Sequence, residues 1–324
     1  MSKNILVIGG AGYIGSVVVE QLIKSGYEVI VVDNLSRGHR SSVDKSIPFY
    51  RINCGESSAM QEVFESFNID VVMHFAAFAL VGESVENPLL YYQNNVVETL
   101  NLLKTMHKYE CNRFIFSSTC ATYGEPEYSP MDEDHPQNPI NPYGFTKLVV
   151  EKALKDYHNA YGLKFNIFRY FNAAGASDKY GEIHDPETHI IPLLLQAASG
   201  QRNKFLLFGD DYPTEDGTCI RDYIHVLDLA DAHIKGIENL KTRSAGIYNL
   251  GTGDGYSNKQ VIEMVKKITE NDFKVEIAQR RPGDPAVLVA KAEKAISELG
   301  WQPENSSLEN IIQSAFNFSN NYNL

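Results

Sequence analysis

The stretch NILVIGGAGYIG, residues 4–15, constrains this chain more than any other part of it. A β-branched apolar run, NILVI, gives way to Gly9, Gly10, Gly12 and Gly15, and a helical pattern over 13–25 follows. Gly10-x-Gly12-x-x-Gly15 fits the dinucleotide-binding fingerprint, and Gly9-x-x-Gly12-x-x-Gly15 fits a relative of it. Glycine lets the backbone turn tightly and come close to a pyrophosphate. The start of the following helix supplies free N–H groups and a partial positive charge. Asp33 closes the next apolar run, EVIVVD (28–33), 18 residues beyond Gly15. A carboxylate there accepts hydrogen bonds from adenosine ribose hydroxyls and repels a 2′-phosphate, so the pattern implies NAD rather than NADP. Arg37 is read as a solvated loop charge.

Short apolar runs then alternate with longer helical patterns. FYRIN (49–53), DVVMHFA (70–76), RFIFSS (113–118) and KFNIFRYF (164–171) read as strands, with helices near 57–67, 88–109 and 143–161 between them. Repeated strand–helix–strand units predict an α/β, Rossmann-type doubly wound parallel sheet with helices on both faces. The second half holds more Gly, Pro and Asp and predicts a smaller mixed α/β C-terminal domain. The boundary is placed at 174, giving domains 1–174 and 175–324, and the helix near 227–239 is allowed to return to the first.

NPYGFTK (141–147) starts a helix: Asn141 caps it and Pro142 suits its first position. Tyr143 and Lys147, one turn apart, share a face. They form the only Tyr-x-x-x-Lys among 18 tyrosines, and chance alone would give about one. Their position says more. RFIFSS runs into Thr119, whose hydroxyl would sit at the carboxyl end of a strand, the edge where open parallel sheets bind ligands. A hydroxyl, a phenol and an ammonium converging there suit alcohol oxidation. A phenol with pKa about 10 is a poor base, and bringing it to about 7 takes roughly 4 kcal/mol. One charge at ~5 Å supplies about 3 kcal/mol at an effective dielectric near 20. Lys147 and an oxidised nicotinamide together would suffice; the lysine alone would not.

GGAGYIG, Asp33-Asn34, HFAA (74–77), YYQNNV (91–96), FSSTCATYG (116–124), NPYGFTK, FRYFNAAGA (168–176), FGDDYPTEDGTCIRDYIHV (208–226) and RRPGDP (280–285) together resemble the UDP-glucose 4-epimerases. These belong to the extended short-chain dehydrogenases/reductases. The resemblance spans nearly the whole chain. It implies a tightly held NAD that oxidises a UDP-hexose at C4 and returns the same hydride to the other face of the 4-keto sugar. It implies that Tyr143 serves as base and then acid, that Lys147 binds the nicotinamide ribose and tunes Tyr143, and that Thr119 hydrogen-bonds the 4-oxygen. For the cofactor it implies Gly9, Gly12, Tyr13, Ile14, Gly15, Asp33, Asn34, Asn53, Cys54, Phe75, Ala76, Ala77, Asn94, Ser117 and Tyr170, besides Tyr143 and Lys147. For the substrate it implies Thr119, Tyr143, Phe171, Asn172, His189, Ile190, Phe208, Arg221, Tyr223, Arg281 and Asp284. Asn172, Arg221 and Arg281 would hold the pyrophosphate, Asp284 the uridine ribose, and Phe171 would line the sugar pocket. Two departures stand out: Asn53 where the family often has Asp, and Phe78-Ala79 where some members put a lysine.

Related enzymes dehydrate or decarboxylate nucleotide sugars. A dehydratase needs an extra acid and base, typically Asp-Glu right after the catalytic Ser/Thr. Here Thr119 is followed by Cys120-Ala121, which favours epimerisation. Leu288 is expected at the end of the hexose pocket, and its intermediate size leaves N-acetylated sugars open as alternative substrates. A non-catalytic NAD-binding sensor would have no need for Thr119, Tyr143 and Lys147 together.

The net charge of −12 argues against general nucleic-acid or membrane-surface binding. The cysteines Cys54, Cys111, Cys120 and Cys219 show no Cys-x-x-Cys spacing and read as free thiols. The opening apolar run reaches glycine at residue 9, too short for a signal-peptide core or a membrane span, so a cytoplasmic location is expected. His74, His135, His189 and His225 lack metal-ligand spacing, and no metal is expected. Apolar residues on several faces of the helices at 88–109 (Val96, Leu100, Leu103) and 143–161 (Leu148, Val149, Leu154) suggest a second packing surface. The resemblance implies a homodimer.

Overall fold

The computed structural model describes residues 3–281 and 283–322. Its first half alternates strand and helix: β1 (Asn4–Ile8), α1 (Tyr13–Lys24), β2 (Glu28–Val32), β3 (Phe49–Tyr50), α2 (Ser57–Ser66) and β4 (Val71–His74). There follow α3 (Val81–Glu86), α4 (Pro88–Tyr91), α5 (Glu98–Lys108), β5 (Arg113–Thr119), α6 (Pro142–Tyr161) and β6 (Lys164–Tyr170). The remainder is β7 (Asn172–Ala174), α7 (Ile190–Ala198), β8 (Phe205–Phe208), β9 (Ile220–Arg221), β10 (Tyr223–His225), α8 (Val226–Thr242) and β11 (Ala245–Leu250). It ends with β12 (Tyr256–Ser257), α9 (Asn258–Thr269), β13 (Val275–Ala278), β14 (Val287–Leu288), α10 (Glu293–Leu299) and α11 (Leu308–Tyr322).

Seven strands form one sheet in the order β11-β6-β5-β4-β1-β2-β3. Each neighbouring pair runs parallel. β1 shows why its strands read as continuous apolar runs. Ile5 and Val7 face a core shared with α1 and α8, while Leu6 and Ile8 face one shared with α2, α5 and α6. A strand covered on both sides has no polar face to alternate. The chain order reverses between β1 and β4, so the crevice beyond their carboxyl ends is the place where such sheets bind ligands.

Beyond residue 174 the chain does two things. α8 packs on α1, and β11 joins the central sheet beside β6 in register from Ala245↔Phe165 to Leu250↔Tyr170. The segment from Val226 to Leu250 thus completes the first layer, whereas the sequence reading had allowed only its helix to do so. The rest builds a smaller unit of short sheets, β12-β9-β14, β13-β8 and β10-β7, around a core contributed by α7, α9 and α11.

Two other expectations change. β3 stops at Tyr50 rather than 53, because its partner β2 ends at Val32 and leaves nothing further to pair with. The single helix expected over 88–109 is interrupted by a π-helical turn, Tyr92–Val97, between α4 and α5. Such wide turns frequently mark functional sites. Among the described residues no helix is long and apolar enough to cross a membrane.

Candidate active site

The glycine loop is built for close approach. Gly9 has φ +80°, and a Cβ there would lie 2.5 Å from the Ala76 backbone nitrogen. A Cβ on Gly15 would lie 2.1 Å from the Gly9 carbonyl oxygen. Gly12 N-caps α1 with no side-chain cap, so the first N–H groups of the helix face the crevice without a competing side chain. Asp33 is buried; its Oδ2 accepts from Ala11 N at 2.9 Å and its Oδ1 from Leu35 N at 2.8 Å. Burial raises its carboxyl and these N–H donors pull it back. Each carboxylate oxygen retains a further lone pair for a ribose hydroxyl. The Asn34 amide donates to Asn53 Oδ1 at 2.6 Å, so Asn53, three residues beyond β3, is oriented by the loop after β2. These features fit a dinucleotide held by backbone and carboxylate.

Phe75, Ala76 and Ala77 follow β4 directly, and the backbone N–H groups of Phe75 and Ala76 both donate to the Ile8 carbonyl. Cys54 is buried with its sulfur 3.9 Å from His74 Nε2, and burial pushes its thiol up to about 12. Tyr13 spends its hydroxyl on the Gly175 carbonyl at 2.5 Å, and Ile14 packs against the core under α1. Asn94 lies on the π-helical turn and donates to Asn95 Oδ1 at 3.0 Å.

The reactive side chains gather where β5 meets α6. Asn141 caps α6 by accepting from Gly144 N at 2.9 Å, with Pro142 in the first position, as the sequence implies. This fixes Tyr143 on the first turn and Lys147 on the second. Thr119, the last residue of β5, is buried and accepts from Ala121 N at 3.1 Å. Burial pushes the Tyr143 phenol up to about 12, and the adjacent Thr119 hydroxyl pulls it the other way. Lys147 is only 3% exposed. Its Nζ donates to the Ser117 carbonyl at 2.8 Å and lies 4.8 Å from the centre of the Phe116 ring. Burial brings this ammonium down to about 7 against the pull of Glu151. Burial thus works against the charged form of both groups, phenolate and ammonium alike, and the sequence reading asks for Lys147 and an oxidised nicotinamide together.

Tyr170, at the end of β6, donates its hydroxyl to His233 Nε2 across 2.6 Å. The other ring nitrogen of His233 donates to the Leu229 carbonyl at 2.7 Å, which fixes the tautomer.

The expected substrate side lies across the crevice. Asn172 donates its side-chain amide to the Asp222 carbonyl at 3.0 Å, and Tyr223 on β10 pairs in register with it. Phe171 is buried with Tyr123, Met131 and Ala290, beside Cys120 and Leu288. Arg221 does not pair with Asp222, its neighbour in the sequence. Its guanidinium meets the Asp284 carboxylate and the Ile220 carbonyl. Asp222 instead accepts from Thr252, Gly253 and Ala290. Arg281 lies over the Phe208 ring at 4.1 Å and is exposed. Arg280 belongs to Asp211 and to the face of Tyr212. His189 N-caps α7 ahead of Ile190, with its Nδ1 at 2.7 Å from Glu182 and 3.2 Å from Glu187.

The sequence reading missed Glu151. It accepts from Ser118 Oγ at 2.6 Å, from Arg169 Nη2 at 2.7 Å and from Gln137 at 3.1 Å. Arg169 continues to Tyr123, and Tyr123 to Asn249. Extending the four-residue spacing from Tyr143 through Lys147 reaches Glu151, so the signal was present in the sequence. Asn95 was missed as well. It clasps both backbone polar groups of Phe78 and donates to Thr146, tying the loop after β4 to α6.

A profile of the family described as NAD dependent epimerase/dehydratase matches residues 5–251. The chain belongs to that family. A relative from Halalkalibacterium halodurans named UDP-glucose 4-epimerase is 50% identical over 317 residues, covering 97% of this chain and 95% of the relative. A solved UDP-glucose 4-epimerase from Brucella ovis in complex with NAD superposes with a TM-score of 0.94 at 46% identity, over 97% of this chain and 98% of that one. One from Bifidobacterium longum in complex with NAD+ and UDP gives 0.94 at 38% identity, over 98% of both chains. Among family members, the chain is thus similar to proteins named UDP-glucose 4-epimerase. Cys120 and Ala121 occupy the two positions after Thr119.

Proposed function

We propose that this protein reversibly epimerises C4 of a UDP-hexose, UDP-glucose to UDP-galactose, with NAD held in the crevice beyond β1, β2 and β4. The observation that carries the reading is the placing of Thr119, Tyr143 and Lys147 together at the carboxyl end of β5, facing the glycine loop's side of the sheet. The relatives' names and their complexes with NAD and UDP support the same cofactor and substrate class.

Bound there, NAD supplies a reversible hydride acceptor for the sugar carbon. The chain supplies the proton chemistry and the grip. Tyr143 removes the 4-hydroxyl proton and later returns it, and the Thr119 hydroxyl orients the 4-oxygen. The phenolate formed at Tyr143 favours the protonated form of Lys147, and that ammonium stabilises the phenolate through charge. Arg221 and Arg281, with Asn172, hold the diphosphate, since guanidinium matches phosphate oxygens in a planar fork. Arg221 exchanges part of its pairing with Asp284 for the ligand, and Asp284 turns to the uridine ribose. The nucleotide is gripped firmly and the hexose loosely, so that the oxidised sugar can present its other face. A dehydratase reading lacks a neighbouring acid and base, because the positions after Thr119 hold a thiol and a methyl group.

In the assembled enzyme we place a homodimer. The exposed Val81, Val85, Leu89, Tyr92, Val97 and Phe145 on α3 to α6 support it. Of the apolar residues named on the several faces of these helices, Val96, Leu103, Leu148 and Leu154 are buried within the chain and belong to the face packed on it. The free cysteines accord with a reducing, cytoplasmic setting. The test is incubation of the purified protein with UDP-galactose and no added NAD, followed by analysis of the hexose. UDP-glucose is expected. A recovered 4-keto, dehydrated or unchanged sugar would overturn the reading.

A further inference from the structure

The segment after β7 holds a group of side chains of which the resemblance assigns only His189 to the substrate. Glu182, His184, Glu187 and His189 each turn one donor atom toward a common point, and the four atoms lie within 4.8 Å of one another. His184 Nδ1 is 3.1 Å from Glu182 Oε1 and 3.8 Å from Glu187 Oε2. His189 Nδ1 is 2.7 Å from Glu182 Oε1 and 3.2 Å from Glu187 Oε1. Zinc holds imidazole nitrogen and carboxylate oxygen at about 2.0–2.2 Å in a tetrahedron, which sets the donor atoms about 3.3 Å apart. The observed separations straddle that edge length.

The charge arrangement points the same way. The side chains of Glu182 and Glu187 are only 9% and 7% exposed, and two buried carboxylates this close need positive charge between them, from an imidazolium of the cluster or from a bound cation. Hydrogen bonds satisfy the cluster incompletely. His189 Nδ1 carries at most one proton and faces two carboxylate oxygens, and His184 Nδ1 is buried without a hydrogen bond. Glu187 is also pre-oriented, its Oε1 accepting from the Thr188 and His189 backbone N–H groups at 2.7 and 2.8 Å.

We propose that Glu182, His184, Glu187 and His189 form a binding site for one zinc-class divalent ion. Two imidazoles among four donors select zinc and its transition-metal neighbours over magnesium or calcium. Four protein donors leave no open coordination position, so the ion is structural. Its place in the fold gives that role meaning. The same segment is tied to the loops after β1 and β2: Tyr13 reaches the Gly175 carbonyl, and Arg37 reaches that of Asp185 at 3.3 Å. His189 caps α7 of the smaller unit. The ion therefore fastens the two units together through one strap. Of the four donors, Glu182, His184 and Glu187 have no part in the proposed reaction.

The test is zinc titration of the full-length protein, dialysed and measured by elemental analysis, beside His184→Asn and Glu187→Gln. The native chain is expected to retain about one zinc per chain and either variant to bind at least about 10-fold more weakly, with far-UV circular dichroism unchanged. Cobalt(II) replaces zinc as a check that needs no variant: a tetrahedral visible spectrum without thiolate charge transfer is expected. No retained zinc, undiminished binding in both folded variants, or a thiolate–cobalt band assigning the ion to cysteine would overturn the proposal.

Discussion

An added methyl group at Gly15 would stand 2.1 Å from the Gly9 carbonyl oxygen, a backbone atom that cannot step aside without reshaping the cofactor loop. Gly15→Ala is expected to give folded protein whose bound NAD, released by denaturation and assayed, falls at least about tenfold. Full retention would show that the loop is not the pyrophosphate cradle. Specificity also has a residue-scale test. Leu288 packs beside Phe171, Tyr123 and Cys120, so Leu288→Tyr should narrow the pocket and lower kcat/KM for the N-acetylated UDP-sugar relative to UDP-galactose. An unchanged ratio would remove Leu288 from the hexose pocket. Individual residues were legible in the sequence where one chemical type at one spacing carries the role: the glycines, Asp33, and Tyr143 with Lys147. What spacing could not show is state. Burial lifts the Tyr143 phenol to about 12 and lowers Lys147 to about 7. Desolvation depends on what the whole fold places around a side chain.

Elements meet through a few buried polar links. α6 is joined to β6 and β5 by Glu151, which receives Arg169 in two hydrogen bonds and Ser118 in a third, all buried. Glu151→Ala strands a buried guanidinium and should cost about 3–5 kcal/mol in chemical unfolding. Glu151→Gln, which can still accept, should cost less. Equal stability of Glu151→Ala and the native chain would contradict this account of how the catalytic helix is held. The elements were legible where burial on both sides made most of a strand apolar, as in β1, β2 and β4. They were illegible where pairing or loop path decides. β11 carries the ordinary sequence AGIYNL, and its partner β6 lies some eighty residues earlier, so nothing local announces that it closes the sheet. The π-helical turn at Tyr92–Val97 breaks a pattern that reads as one helix. The Glu182–His189 cluster is assembled by a loop.

Across the whole molecule, three buried histidines carry its acid sensitivity. Burial brings His74 down to about 3, and His225 and His233 each to about 4. An unfolded histidine takes up its proton near pH 6.5. Below that the unfolded chain binds protons the folded chain refuses, so stability is full above about 6.5 and falls as the pH drops toward 4. Melting temperatures between pH 7.5 and 4.5 should decline, and less steeply for His233→Gln, which keeps an acceptor for Tyr170. A flat profile, or a variant as steep as the native chain, would contradict it. The fold as a whole, a parallel sheet with its ligand edge at the carboxyl ends, follows from sequence because it repeats one local unit. The reaction as proposed rests on a single phenol at that edge. Tyr143→Phe should keep its NAD and lose epimerisation of UDP-galactose by about 10²–10⁴-fold. Turnover within about twofold of the native enzyme, with cofactor still bound, would contradict the account at its centre.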